Sequence, residues 1–114
     1  MEARELAAAV RWHDGEAVLD LVGDIDASAE GALQRAYAEA AGDAHSIVLD
    51  FSGTDYINST GIALIVRLPA DARARRIEMT ARGLSDHYRE IFEITRLADF
   101  MRIEDGRRDR RGRE

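Results

Sequence analysis

SIVLDFSGTDYINSTGIALIV, residues 46–66, decides how the rest of the chain is read. Its first part, Ser46 to Phe51, is a short apolar and β-branched run of the kind that makes a buried strand. Residues 52–58 are a polar connection broken by Tyr56-Ile57. From Ser59 or Thr60 the period changes, and Ile62, Ile65, Val66 and Pro69 fall on one side of a helix. A buried strand feeding a helix through a short polar loop is half of a β-α-β crossover, the unit of a parallel sheet. Pro69 conflicts with that helix, because it lacks an amide hydrogen and crowds the carbonyl of Ile65. The sequence therefore predicts a kink at Pro69, or an early helix end with a second short turn through Ala70 to Arg73.

Upstream, residues 6–12, LAAAVRW, read as a weak first strand and residues 17–22, AVLDLV, as the second. His13-Asp14-Gly15 lies between them, with Asp-Gly as the hairpin signal. Gly23-Asp24-Ile25-Asp26 closes the second strand. Asp26 or Ser28 can cap the helix that follows, with Glu30 in its first turn near the positive end of the dipole. Leu33, Ala36, Tyr37 and Ala40 recur at helical spacing until Gly42 ends the run. Downstream, Arg76 to Thr80 is a strand. Ser85 caps a further helix with Tyr88, Ile91 and Phe92 inward, Thr95 to Asp99 is a loop, and Phe100 to Ile103 is a last short strand. The order β-β-α-β-α-β-α-β predicts an α/β fold: one mixed sheet, a hairpin and then parallel right-handed crossovers, flanked by helices. One domain covers residues 1–104. The arginine-rich tail 105–114 reads as a solvated, disordered end.

The bulk composition narrows the chemistry. A chain of 114 residues fits one domain. At 46% hydrophobic and 33% charged it can build a core without a disulfide or metal staple. There is no cysteine, which excludes thiol nucleophiles, disulfides and cysteine metal sites, and agrees with a reducing compartment. Every basic side chain is arginine and none is lysine, so P-loop and Schiff-base chemistry lack their usual residue. Net charge is −6; the tail DGRRDRRGRE carries five arginines and three acids, leaving −8 for the remainder. An acidic body argues against nucleic acid as a partner, because phosphate binding needs a basic surface. No stretch reaches the roughly 18 apolar residues of a membrane span. MEARELAAAV lacks the basic-then-apolar pattern of a secretory signal, so the expected location is the cytoplasm.

Few constellations point to catalysis. His13, His45 and His87 fall in turns or at a helix start, with no partner at metal-ligand spacing. Asp24 and Asp26 could hold a cation or act as paired acids, but a capped turn is the plainer reading. Asp50-Phe51-Ser52-Gly53 breaks the D-F-G pattern by one inserted serine, and no Gly-rich loop or lysine accompanies it. No G-x-S-x-G elbow surrounds any serine. The expectation is a protein with no enzymatic activity, cofactor or metal.

Ser59 remains. The strand before it and the helix after it place its hydroxyl at a helix N-terminus, where unpaired amides and a positive dipole favour an anion. The plainer reading is a capping residue, and Asn58-Ser59-Thr60 supplies three residues suited to that task. Gly61 leaves room beside the hydroxyl.

These parts together resemble a STAS domain of the anti-sigma factor antagonist type, from about residue 6 to residue 103. That family shows a G-[DE]-[ILV]-D turn after the second strand, here Gly23-Asp24-Ile25-Asp26. It then shows a strand, a hydrophobic-polar bridge and D-S-[ST]-G opening a helix. The counterparts are Val48-Leu49-Asp50-Phe51, Tyr56-Ile57 and Asn58-Ser59-Thr60-Gly61. The resemblance implies a STAS-like fold and a phosphorylation site at Ser59, with Thr60 as second candidate. It implies as partners an anti-sigma factor with serine kinase activity, bound by the unphosphorylated form, and a phosphatase that resets the cycle. The binding surface it implies includes Asp24, Asp26, Asn58, Ser59, Thr60, Gly61 and Ile62. The family's usual acid before the serine is Asn58 here, which keeps the shape and loses the charge. The alternative is a STAS scaffold or ligand-binding subunit of a stress-signalling or lipid-transport complex, with no phospho-switch.

Overall fold

The computed structural model describes residues 4–104; the tail 105–114 lies outside the described residues. The hairpin forms as its turn residues dictate. Strand β1 (Ala7–His13) and strand β2 (Glu16–Val22) pair antiparallel, with His13 opposite Glu16. Asp14 and Gly15 between them both have positive φ, 50° and 80°, the conformation of a type I′ turn. Strand β3 (Ser46–Gly53), strand β4 (Glu78–Arg82) and the two-residue strand β5 (Arg102–Ile103) then add in parallel. The described residues thus form one mixed sheet whose strand order equals chain order. Helices α1 (Glu30–Ala41), α2 (Ser59–Ala74) and α3 (Asp86–Ile94) make the crossovers.

Successive one-strand steps in one direction, each right-handed, put every crossover on the same face of the sheet. Packing agrees. Leu19, Leu21, Ile47, Leu49, Phe51, Met79 and Ala81, alternate strand positions, share the core with Leu33 and Tyr37 of α1, Ile65 of α2 and Phe92 of α3. Phe92 meets Phe51 edge to face at 5.6 Å between ring centres. The Tyr37 hydroxyl donates to Asp71 across α1 and α2 at 2.5 Å. No described helix is long and apolar enough to cross a membrane.

The intervening strand positions line the other face, where buried Val18 and Val48 are followed by a row of charged side chains. Asp20, Asp50 and Arg82 sit side by side in register. Arg11 grips both oxygens of Asp20, and Arg82 reaches Asp50 at 3.2 Å. The Arg11 hydrogen bond holds the Asp20 carboxyl below its ordinary range. Burial alone would raise Asp50, but hydrogen bonds from Ser52 and then Arg82 outweigh it, so that carboxyl too is held low.

Several element boundaries depart from the sequence expectation. Helix α2 does not end early at Pro69 but runs on to Ala74. Pro69 is buried beside Ile65, Leu68 and Ala72, so apolar packing along that side offsets the amide bond the ring removes. Val66, expected inward, is exposed. Strand β4 starts two residues later than expected because the end of α2 consumes Arg76 and Ile77. The Ile77 amide donates to Ala72, the Arg76 amide donates to Arg73, and Arg76 takes φ 63°. This is a Schellman closure with arginine where glycine is usual. Phe100, expected in the last strand, follows a 3-10 turn over Leu97–Asp99, and β5 begins only at Arg102.

A carboxyl held low contributes stability that is complete above its unfolded pKa of about 4 and is lost as pH falls through the lower folded value. Arg82→Ala is expected to cost about 1 kcal/mol at neutral pH. In urea melts the gap to the parent protein should begin to narrow as pH falls below about 4 and should close only once the folded Asp50 carboxyl has also taken its proton. A gap that stays equal across that range would show that Arg82 acts by packing rather than through Asp50.

Candidate functional site

The site is built where two loops at the carboxyl ends of β2 and β3 meet the start of α2. Each loop is too short to fold alone, and backbone hydrogen bonds stitch them together. The Gly23 amide donates to Gly53 at 3.1 Å, the Ile25 amide to Tyr56 at 2.9 Å, and the Asn58 amide to Ile25 at 3.2 Å. Ile25 and Ile57 thereby form an isolated parallel bridge, and both side chains are buried. The bridge places Asp24 and Asp26, which flank Ile25, beside Tyr56 and Asn58, which flank Ile57. The expected residues Asp24, Asp26, Asn58, Ser59, Thr60, Gly61 and Ile62 therefore do gather at one end of the sheet.

Their individual tasks differ from a simple reading of the motif. The helix cap is Asn58, not Ser59: its Oδ1 accepts from the Gly61 amide at 2.8 Å, and its carbonyl accepts from the Ile62 amide at 2.9 Å. Ser59 is the first helical residue. It and Thr60 are exposed, and neither side chain makes a hydrogen bond among the described residues. Its hydroxyl thus stands at the positive end of a sixteen-residue helix with no capping duty.

Gly61 does not make room for the hydroxyl. It makes room for Ile25: a Cβ at Gly61 would lie 2.0 Å from the Ile25 carbonyl oxygen and 2.8 Å from its carbon. No side chain fits that gap. Ile62, half-buried, packs against the core behind the same turn.

The two aspartates do not act as a pair. The Asp24 carboxylate accepts from the Arg4 amide at 3.2 Å, and its own amide donates to the Arg4 carbonyl at 2.8 Å, which pins the chain ahead of β1 to this corner. Asp26 caps the 3-10 turn Ala27–Ala29, accepting from the Ser28 hydroxyl at 2.6 Å and the Ser28 amide at 3.0 Å. Those bonds, the hydroxyl's first, hold the Asp26 carboxyl below its ordinary range, so it is ionised at neutral pH. Among the described residues no cluster of three or more His, Cys, Asp or Glu could hold a metal.

Two residues that sequence reasoning did not assign to the site belong to it. Tyr88 of α3 was expected merely to point inward. Its hydroxyl accepts the Ile57 amide at 3.0 Å, fixing the loop just ahead of the cap. Tyr56 stands half-exposed beside Asn58, an aromatic ring open to solvent. The Tyr-Ile pair signalled a break in the polar loop, but nothing in the sequence placed the partner on α3.

Residues 8–103 match the family described as "Mlab, STAS domain". Over 55 residues the chain is 36% identical to the anti-sigma-B factor antagonist of Listeria monocytogenes, a stretch covering 48% of this chain and 48% of that protein. The match to the protein of the same name from Listeria innocua has the same extent, so the chain spans about half the length of the curated relatives it matches. Among solved structures, an anti-sigma factor antagonist from Mycobacterium paratuberculosis superposes with a TM-score of 0.69 at 23% identity, over 87% of this chain and 85% of that one. The Bacillus cell fate determinant SpoIIAA in its phosphorylated form superposes with a TM-score of 0.68 at 19% identity, over 94% of this chain and 100% of that one. Identities this low speak to the fold.

The junction makes two demands that mutation can separate. Gly61→Ala should cost about 3 kcal/mol or prevent folding, because the intruding carbon meets backbone that cannot rotate away. Asn58→Ala should cost about 1 kcal/mol in urea denaturation, and Asn58→Asp should retain the cap. Equal stability of Gly61→Ala and the parent would mean that helix and loop are not held in this contact.

Proposed function

We propose, from the premise that the chain belongs to the STAS domain family, that its uncommitted serine at the start of α2 decides whether a partner binds. In this reading the protein is an anti-sigma factor antagonist of the cytoplasm. Unphosphorylated, it docks an anti-sigma factor through the end of the sheet that carries Ser59, Thr60, Asp24 and Asp26, and the sigma factor is released. The anti-sigma factor, acting as a serine kinase, transfers the terminal phosphoryl group of ATP to the Ser59 oxygen. ADP leaves, the hydroxyl proton passes to the kinase or to water, and the complex separates. A phosphatase hydrolyses the ester with water, returning the hydroxyl and inorganic phosphate.

The observation that carries this reading is the transfer of the capping task to Asn58. A serine used as a cap has its oxygen already engaged by a backbone amide and turned toward the helix. Ser59 has no such bond. The names of the Listeria relatives and the phosphorylated form of the Bacillus structure support the same reading.

Magnitudes allow a switch without refolding. A phosphate adds about −1.5 to −2 charge at neutral pH. At an exposed helix N-terminus that charge is favoured by up to roughly 2 kcal/mol, so the free protein tolerates it. Inside an interface the same group must shed its water and face the ionised Asp26 carboxylate. A penalty of about 4 kcal/mol there weakens binding about a thousandfold.

Incubation with the partner kinase and ATP, followed by intact-mass and peptide mapping, should show one phosphate at Ser59 and none in Ser59→Ala. Ser59→Ala should keep the partner in a pull-down, while Ser59→Asp should lose at least about 1.4 kcal/mol of affinity, a tenfold change. Phosphate confined to Thr60 would move the switch by one residue. Equal retention of the partner by both variants, with no mass gained, would overturn the switch and favour the scaffold or ligand-binding alternative.

A further inference from the structure

The far end of α2 carries a second feature, independent of Ser59. A cavity of about 500 Å³ opens between the end of α2, the start of β4 and the turn leading into β5. Strand β5 pairs only with Thr80 and Ala81, so β4 ahead of Thr80 has β3 on one side and this cavity on the other. That volume is in the range of small-molecule sites, about 300–1,000 Å³.

Arginine placement makes the cavity unusual. Of the eleven arginines at positions 4–104, seven (Arg4, Arg11, Arg67, Arg75, Arg82, Arg89 and Arg96) pair with carboxylates. Four have no carboxylate partner among the described residues, and three of those four, Arg73, Arg76 and Arg102, line this one cavity. Carboxylates outnumber arginines in the chain, 22 to 16, so a shortage of acids does not explain it. The negative end of α2 accounts for a cation at Arg73. It does not account for Arg102, which arrives on β5. Of the acids in the lining, Asp99 is already held by Arg96 at 2.7 Å, and Glu78 is exposed.

The apolar part of the lining is as specific. Met79 and Met101 are buried at its floor, and Phe100 stands 49% exposed at its side. The Arg73 guanidinium lies 5.6 Å from the Phe100 ring centre, a cation-π contact that orients the ring. Guanidinium groups beside an exposed aromatic ring are suited to an anionic head joined to a flat apolar body.

We propose that this cavity binds a small organic anion, its carboxylate or phosphate held among Arg73, Arg76 and Arg102 and its planar part laid against Phe100. The site lies about 21 Å along α2 from Ser59, at 1.5 Å per residue, so occupancy does not compete with a partner docked at the other end.

Amide NMR titration of the full chain with phenyl phosphate, benzoate and inorganic phosphate tests it. The expected result is saturable shifts centred on Met79 and on Phe100 to Arg102, with phenyl phosphate or benzoate bound more tightly than inorganic phosphate. Comparing the two aromatic probes identifies which anionic head the site prefers. The double variant Arg73→Ala/Arg102→Ala changes only exposed side chains and should weaken binding at least about tenfold, while the corresponding lysine pair keeps part of it. Phe100→Ala should erase the preference for the aromatic probes over inorganic phosphate. The proposal is overturned if neither aromatic probe gives saturable shifts, if the shifts centre on Ser59 to Ile62, or if the folded double alanine variant binds as well as the parent.

Discussion

The contact between the Gly61 α-carbon and the Ile25 carbonyl is the constraint on which the functional end of this molecule depends. It lets the first turn of α2 approach the loop after β2 more closely than any side chain would permit. Because the approach is close, the Ile25 carbonyl can take the Asn58 amide, and the Ile25 amide can reach the Tyr56 carbonyl. Those two bonds convert a pair of loops into an extension of the parallel sheet. Tyr88 then ties that extension to α3 through the Ile57 amide. Every group that fixes the backbone beside Ser59 is thus buried or hydrogen-bonded, and Ser59 itself is the part left outside. A rigid base under an exposed hydroxyl is what a modification site requires if the modification is to change recognition and leave the fold alone.

The rest of the fold supplies that rigidity asymmetrically. One face of the sheet carries the core, in which Leu19, Leu49 and Phe51 share a single cluster with residues of all three helices. Among the described residues no helix covers the other face, which carries the ion pairs of Arg11 with Asp20 and of Arg82 with Asp50. Apolar burial is the larger force, at roughly 25 cal/mol per Å², and the ion pairs are worth about 1 kcal/mol each at most at such exposures. The charged face therefore adds little to stability. Its carboxylates stand in line across neighbouring strands, and without the two guanidinium groups they would repel.

Much of this was legible in residues 46–66. The change from a β-branched run to a helical period gave the strand, the loop and the helix, and from them the parallel crossover. Asp14-Gly15 gave the hairpin because that dipeptide tolerates two positive φ angles. The gathering of Asp24, Asp26 and Asn58 to Ile62 followed from the resemblance, whose parts the fold does bring together. What stayed hidden depended on contacts distant in sequence. Asn58, Ser59 and Thr60 are all good caps, and only the position of the loop beneath them decides which amide is reached. Gly61 reads as space for its neighbour, whereas the space is filled by Ile25, thirty-six residues away. Arg76 and Arg96 take positive φ at helix ends where glycine would signal the stop, and at Arg76 this moves the start of β4 two residues beyond the apolar pattern. Pro69 argued for a kink or an early helix end, and burial against the core overrides the early end.

The two ends of α2 offer opposite electrostatic settings, and this bears on whether they could communicate. At the start, amides and dipole favour an anion with no arginine needed. At the end, the dipole disfavours an anion, and three guanidinium groups reverse the sign. Direct Coulomb coupling between a phosphate on Ser59 and an anion beside Arg73 is weak, because about 21 Å exceeds two screening lengths at physiological salt. Any coupling would have to pass through the helix as a body. Pro69, which gives up one hydrogen bond within α2 between the two ends, is where the helix is least able to transmit a displacement without bending. Buried side chains on both sides of it, Ile65 and Ala72, anchor each half of the helix separately to the core. The architecture therefore favours two independent sites on one helix over a relay between them.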